Sequence, residues 1–270
     1  MVSGSWSGKA GVWSLSTGQV LCSFVGHRDR ISCIALCSDG KRVVSGGFDK
    51  AVRVWSIDSG REYRFGHMRH AGAVRGVSVS CDERTAASVS EDGTVKLWNI
   101  YNGQNKATLR GHSSCVYCVA FSPDGKALAT GSGDHTIKIW NMERIGLERT
   151  LAEGHSKAVR GVAFTPDGQR LVSASCDETI KVWNWRRGKE EMAFTAHVAD
   201  VKCVAVFPDG DRIVSGSRDK TVRIWNLRSG ALEHTLRGHG DSVRSVAVSK
   251  DGRTLVSGSR DKMIKVWHLN

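Results

Sequence analysis

A histidine, a hydroxyl residue, an aspartate and a tryptophan recur in fixed register along this chain of 270 residues, and that recurrence narrows the possible folds more than any other feature. The last copy runs from Gly238 to Trp267, GHGDSVRSVAVSKDGRTLVSGSRDKMIKVW. His27, His70, His112, His155, His197 and His239 each stand 28 residues before Trp55, Trp98, Trp140, Trp183, Trp225 and Trp267. Six residues before each tryptophan comes Asp49, Asp92, Asp134, Asp177, Asp219 or Asp261. Four residues before each aspartate comes Ser45, Ser88, Thr130, Ser173, Ser215 or Ser257. The period is 42 or 43 residues, and Trp13 closes a seventh, truncated copy. A period of this length means that each copy is one supersecondary unit, which buries its apolar face by stacking on its neighbours.

Inside a copy the pattern is that of short strands. ISCIAL, RVVSG, AVRVW and REYRF, within residues 26–66, alternate or run apolar and are separated by turn signals. Asp-Gly in Ser38-Asp39-Gly40 is such a signal, because both residues tolerate positive φ. The three prolines all lie in the equivalent turns, at Pro123, Pro166 and Pro208. The next unit is irregular: its turn is Cys81-Asp82-Glu83, without glycine, and His67 falls off the repeat spacing and reads as a loop residue. Residues 1–25 supply only three strand patterns, and the last copy ends three residues past Trp267.

Gly-His near the start of each unit, Trp near its end and the period together resemble the WD40 repeat, and the resemblance covers nearly the whole chain. It implies an all-β fold: a seven-bladed β-propeller of WD40 type, the first blade lacking its inner strand and the last blade lacking its outer strand. The expected organisation is one domain over residues 1–270, with a partial blade at 1–25, five full blades over 26–237 and a partial blade at 238–270. The seam between Met1–Val25 and Gly238–Asn270 is the expected weak point. One departure is plain: Ser14, Ser56, Asn99, Asn141, Asn184, Asn226 and His268 stand where the family has aspartate after Trp.

The resemblance also implies that the repeated His, Ser or Thr, Asp and Trp form a buried hydrogen-bond chain in each blade. The chemistry allows it: indole only donates, hydroxyl and neutral imidazole do both, and carboxylate only accepts. A Ser-His-Asp catalytic triad is the competing reading. It fails on count, because a reacting site occurs once and this set occurs six times. No phosphate loop of the GxxxxGK[ST] kind occurs. The expected chain is therefore no enzyme, has no cofactor and takes no small-molecule substrate.

The eight cysteines show no metal-ligand spacing. Cys115 and Cys118 fall on an expected strand, and Cys33, Cys118 and Cys203 share a repeat position that Gly76, Gly161 and Ser245 also fill. Free thiols in a reducing compartment are the default. The remaining histidines, His135, His234 and His268 among them, read as surface residues. No run of 18 apolar residues occurs and MVSGSWSGKAGVW has no charged-then-apolar leader, so no membrane association is expected. The compartment expected is cytoplasmic, with the nucleus open.

Function has to come from positions that the repeat leaves free. Formal net charge is +12, but Arg53, Lys96, Lys138, Lys181, Arg223 and Lys265 recur two residues before each Trp, where their stems cover apolar surface. The family resemblance places three other sets at the mouth of the channel. Five after His come Ser32, Arg75, Tyr117, Arg160, Lys202 and Arg244. Immediately before the turn Asp come Phe48, Glu91, Gly133, Cys176, Arg218 and Arg260, with Trp6 in the truncated copy. Three after His come Arg30, Ala73, Cys115, Ala158, Asp200 and Ser242.

Lys202, Arg218, Arg244 and Arg260 resemble the phosphopeptide-reading residues of F-box-type WD40 substrate receptors. Lysine at position 202 departs from arginine there and puts two-pronged contact in doubt. The expected function is a protein-interaction scaffold binding an acidic or phosphorylated peptide. Those four residues form the clamp, Arg75 and Arg160 steer, and Tyr117, Phe48 and Trp6 pack apolar groups. The alternative is a nucleic-acid-associated propeller, which a pI near 9.5 permits.

Overall fold

The computed structural model describes residues 1–63, 65, 68–195 and 197–269. His67, expected as a loop residue, lies outside them. The described residues form strands and turns with no helix, so no helix is long and apolar enough to cross a membrane. The strands form seven sheets of three or four strands each, in chain order within each sheet.

The chain divides into two compact units. The first comprises Met1–Thr130 and Trp140–Leu147. It opens with a three-stranded sheet of β1 (Val2–Gly4), β2 (Lys9–Trp13) and β3 (Val20–Val25). The next sheet holds β4 (Ile31–Leu36), β5 (Arg42–Gly47) and β6 (Val52–Ser56). The third is four-stranded: β7 (Val74–Val79), β8 (Thr85–Ser90), β9 (Val95–Asn99) and β10 (Asn105–Leu109). The fourth sheet, β11 (Val116–Phe121), β12 (Ala127–Ser132), β13 (Ile137–Asn141) and β14 (Gly146–Leu151), has residues in both units.

The second unit comprises Gly131–Ile139 and Glu148–Asn270. It holds the sheet of β15 (Val159–Phe164), β16 (Leu171–Ser175), β17 (Ile180–Asn184) and β18 (Lys189–Phe194). The sheet of β19 (Val201–Val206), β20 (Arg212–Ser217), β21 (Val222–Asn226) and β22 (Leu232–Leu236) follows. The last is three-stranded: β23 (Val243–Val248), β24 (Thr254–Ser259) and β25 (Ile264–His268). Among the described residues the first sheet thus has no inner strand and the last no outer one, as the repeat spacing predicts.

One blade differs from expectation. REYRF, of which Arg64 lies outside the described residues, gives no strand among the described residues: the second sheet has three strands, and isolated bridges join Trp55 to Glu62 and Ala51 to Arg69. Tyr63 N–H donates to the Val54 carbonyl at 2.9 Å, and Val52 N–H donates to the Met68 carbonyl at 2.7 Å.

Within each unit, cores lie between successive sheets. In the first unit Trp55 stacks on Phe24 of the preceding blade at 5.4 Å between ring centroids, and both are buried. In the second unit Trp225 meets Phe194 at 5.2 Å in the same way. Large aromatics placed there add buried apolar area between these blades.

The turns follow their residues. Gly40, Gly125, Gly168, Gly210 and Gly252 hold φ between 66° and 74° in the turns joining the first two strands of their blades. In the turn without glycine, Glu83 itself adopts φ 57°. That conformation costs about 1–2 kcal/mol for a residue with a Cβ. Cys115 is corrected by one residue: β11 begins at Val116, so the cysteine precedes the strand.

Candidate functional site

The repeated side chains form the expected hydrogen-bond chains. In the second unit, Trp183 Nε1 donates to Ser173 Oγ at 2.8 Å, that oxygen lies 2.7 Å from His155 Nε2, and His155 Nδ1 lies 2.8 Å from Asp177. The sets built on His197 and His239 repeat this, with 2.8 Å between His Nδ1 and Asp219 or Asp261. In the first unit the sets on His27 and His70 do likewise, and Thr130 joins His112 to Trp140. The truncated first blade keeps only a remnant, Trp13 Nε1 donating to Ser3 Oγ at 2.7 Å.

Burial defines their electrostatics. It pushes the His70 imidazole down to about 4, against the opposing pull of Asp92. Burial works against the Asp49 carboxylate, yet hydrogen bonds from His27 and from the Arg28 backbone hold it down at about 2. The serine hydroxyls of these sets are fully buried, and His27, His70, His155, His197 and His239 are buried as well.

The free positions are brought together by two backbone devices. In five blades the register slips at the start of the first strand: between Ile31 and Cys33, Val74 and Gly76, Val159 and Gly161, Val201 and Cys203, and Val243 and Ser245. The extra residue of each bulge is Ser32, Arg75, Arg160, Lys202 or Arg244, the set five after His. A bulge re-aims the side chain of its unpaired residue, here at the start of the strand. The second device is a hydrogen bond from the residue before the turn Asp to the carbonyl of the residue three after His. Phe48 bonds Arg30 at 2.9 Å, Cys176 bonds Ala158 at 2.9 Å, Arg218 bonds Asp200 at 2.8 Å and Arg260 bonds Ser242 at 3.0 Å. All three sets therefore meet at one end of their blade.

In the first unit this end is a stack of rings and guanidinium groups. Arg30 lies over Trp6 at 5.3 Å and over Phe48 at 4.3 Å. Arg75 covers Phe48 at 4.4 Å and also pairs with Glu91, Nε to Oε1 at 2.9 Å. Phe48 is thus enclosed by two cations, and the charge of Arg75 is matched. Trp6 keeps 65% of its surface exposed. Tyr117 is half-buried on β11.

In the second unit the same end is basic. Arg160 Nε lies 3.4 Å from Cys176 Sγ, and Lys202 Nζ lies 3.6 Å from the same sulfur. Lys202 also pairs with Asp200 at 2.5 Å. Burial opposes the Asp200 charge, but Lys202 holds that carboxyl below the usual range, with help from Arg218. Arg244 has the reverse situation. Partial enclosure of its guanidinium, then repulsion from Arg260, Arg160 and Arg218, lowers it from the ordinary arginine value, with Asp241 pulling the other way. Arg218, Arg244 and Arg260 are exposed and Arg160 and Lys202 half-buried. Five cations gather at this end of the unit, with Asp200 and Asp241 among the acids beside them.

The sequence located these positions but not the partners. Arg30 acts as the bridge between Trp6 and Phe48, and Asp200 neutralises Lys202. The second could have been read from Asp-x-Lys, since residues two apart lie on one face of an extended chain.

A comparison with family models matches residues 38–235 to the TEP-1 second beta-propeller and residues 18–56 and 230–268 to the WD domain, G-beta repeat. Among individual proteins, the chain is 33% identical over 94 residues to Protein tipD of Dictyostelium discoideum, covering 35% of this chain and 15% of that protein. It is 29% identical over 106 residues to Autophagy-related protein 16 of Arabidopsis thaliana, covering 39% of this chain and 20% of that protein. With Small ribosomal subunit protein RACK1 of Caenorhabditis elegans it shares 34% identity over 88 residues, 32% of this chain and 27% of that protein. The matched stretches are therefore under a third of each relative's length. Period, blade sheets, hydrogen-bond chains and the match over residues 38–235 agree: the chain belongs to the WD40-type β-propellers, in the family of the TEP-1 second beta-propeller.

Proposed function

We propose that this chain is a non-enzymatic protein-interaction scaffold that binds an acidic or phosphorylated peptide at the basic end of its second unit. The observation that carries the reading is the environment of Arg244. Three further arginines, Arg260, Arg160 and Arg218, lie close enough to disfavour its charge, against the single opposing Asp241. An anion placed among them removes that repulsion. A phosphate group brings about −1.5 to −2 charges and three acceptor oxygens, and guanidinium groups meet it with short charge-assisted bonds.

Roles divide by environment. Arg218, Arg244 and Arg260 hold the anion, and Arg160 supports them. Lys202, already matched by Asp200, positions that carboxylate more than it binds ligand. In the first unit Arg75, matched by Glu91, stiffens the stack, and the exposed face of Trp6 packs an apolar side chain, with Tyr117 a second contact. That relatives include a protein named for autophagy and one named for the small ribosomal subunit fits a scaffold used in different assemblies.

The alternative, nucleic acid, is favoured by the net charge of +12. Affinity for it would fall steeply with salt. Titration of a doubly phosphorylated peptide library against wild type and Arg218→Glu/Arg244→Glu tests the proposal, with thermal melting as a check on folding. Selective loss of phosphopeptide binding in the folded variant supports it. Equal binding by both proteins, or no preference for phosphate in wild type, leaves only a generic scaffold.

A further inference from the structure

Ser242 stands three residues after His239, and its hydroxyl is left over when the bonds around it are counted. Its N–H donates to Asp241 Oδ1 at 2.6 Å, and its carbonyl accepts the Arg260 N–H at 3.0 Å. The residue is 2% exposed, and Oγ bonds nothing among the described residues. Two other buried side-chain atoms there have no partner, Arg42 Nη1 and Arg53 Nε, but both guanidinium groups bond through other nitrogens. Ser242 is the one of the three whose side chain makes no hydrogen bond. A buried hydroxyl without a partner is costly to keep, and native folds hold few of them.

The preceding blade shows where a side chain at this position reaches. Arg218 N–H bonds the Asp200 carbonyl at 2.8 Å, as Arg260 N–H bonds that of Ser242, and the same bulge follows in both blades. There Asp200 meets Lys202 at 2.5 Å and lies beside Cys176 and Arg218. One blade on, the matching residues are Arg244, Arg218 and Arg260. The carboxylate that matches Lys202 is thus replaced by a hydroxyl, which carries no charge to match the arginines. Ala73 and Ala158, at this position in two other blades, offer no polar side-chain atom.

We propose that the Ser242 hydroxyl is the neutral donor at the base of the arginine cluster and makes the site select a phosphate over a carboxylate. The inference rests on the anion reading given above and narrows it to phosphorylated peptides. Arg218, Arg244 and Arg260 turn onto the anion and open the hydroxyl to it. A carboxylate has two oxygens in one plane, and the guanidinium forks occupy both. A phosphate monoester has three, set tetrahedrally, and the third accepts the Ser242 O–H. The hydroxyl gains there the partner that the fold does not give it.

The test uses the full chain, a phosphoserine peptide from the doubly phosphorylated library and the same peptide with glutamate at each phosphoserine. Calorimetric titration gives both affinities for wild type, Ser242→Ala and Ser242→Asp, and thermal melting reports folding. Ser242→Ala removes only an unbonded hydroxyl, so its melting temperature should equal or exceed that of wild type. It should bind the phosphopeptide about tenfold more weakly, and the glutamate peptide within about twofold of wild type. Ser242→Asp puts a carboxylate beside Arg244, as Asp200 stands beside Lys202, and should abolish phosphopeptide binding. A Ser242→Ala protein that binds both peptides as wild type does, or loses both equally, overturns the proposal and leaves the anion reading standing. Wild type that binds neither peptide overturns both.

Discussion

Ser173 Oγ stands 2.7 Å from His155 Nε2 and receives the Trp183 indole N–H at 2.8 Å on the same oxygen. Because the Asp177 carboxylate only accepts, a neutral His155 has Nε2 as its acceptor, and the Ser173 hydroxyl donates to it. His155 then carries its proton on Nδ1 and donates it to Asp177 at 2.8 Å. The tautomer follows from the network, and every polar atom in the line is satisfied.

Breaking that line affects stability alone. His155→Ala leaves a buried hydroxyl without its acceptor and should lower unfolding free energy by about 1–3 kcal/mol. Denaturant titration measures the loss. Phosphopeptide affinity of the folded variant should equal that of wild type, and abolished binding at full stability would assign the histidine a functional role.

Acid should weaken the protein in two stages. His70 titrates near 4 in the fold against an ordinary 6.5, because burial disfavours its charge. Between those values the unfolded chain binds a proton that the folded chain does not, so this contribution is complete above pH 6.5 and declines as pH falls toward 4. The loss from this residue between pH 7 and pH 5 is about 2 kcal/mol. Asp49 and Asp92, held near 2 against an ordinary 3.8, add a second decline from about pH 4 downward. Denaturation midpoints of wild type and His70→Asn at pH 7 and pH 5 check the first stage: the variant should show less of the decline.

Glu83 combines backbone strain with useful bonds. Its φ of 57° is unfavourable, yet Oε1 accepts the Asp39 N–H at 2.6 Å and Oε2 lies 3.3 Å from Arg42 Nη2, tying one blade's turn to the next. Glu83→Ala keeps the strain and loses the bonds, at a cost of about 1–3 kcal/mol. Glu83→Gly loses the same bonds but relieves about 1 kcal/mol of strain. Chemical denaturation should rank wild type above the glycine variant and the glycine variant above alanine. An alanine variant as stable as wild type would show that the bonds contribute nothing.

Much of this architecture is visible in the spacing of His, Asp and Trp, because a hydrogen-bond line from the third strand through the second to a loop histidine and a turn aspartate tolerates no insertion inside a blade. The segment after Trp55 lies outside that constraint, so REYRF looks like a strand by composition and yet, among the described residues, contributes only an isolated bridge at Glu62. Partner choice at the free positions is harder to read. Phe48 and Arg30 are brought together by a turn, but Trp6 comes from the preceding blade, and only the fold decides that Arg30 rather than a ligand covers Phe48. The pairing of Arg75 with Glu91 joins two of the free sets within one blade, and that relation is legible once the bulge is known.

The most direct measurement follows the arginines themselves. Nε–Hε NMR signals of Arg160, Arg218, Arg244 and Arg260 are recorded while a phosphoserine peptide selected from the library is added, and again with its unphosphorylated form. The four signals should move together with one dissociation constant for the phosphopeptide, and the unphosphorylated peptide should bind at least about tenfold more weakly. Signals that stay still while the peptide binds, or that move equally with both peptides, would contradict the assignment of this cluster as the anion site.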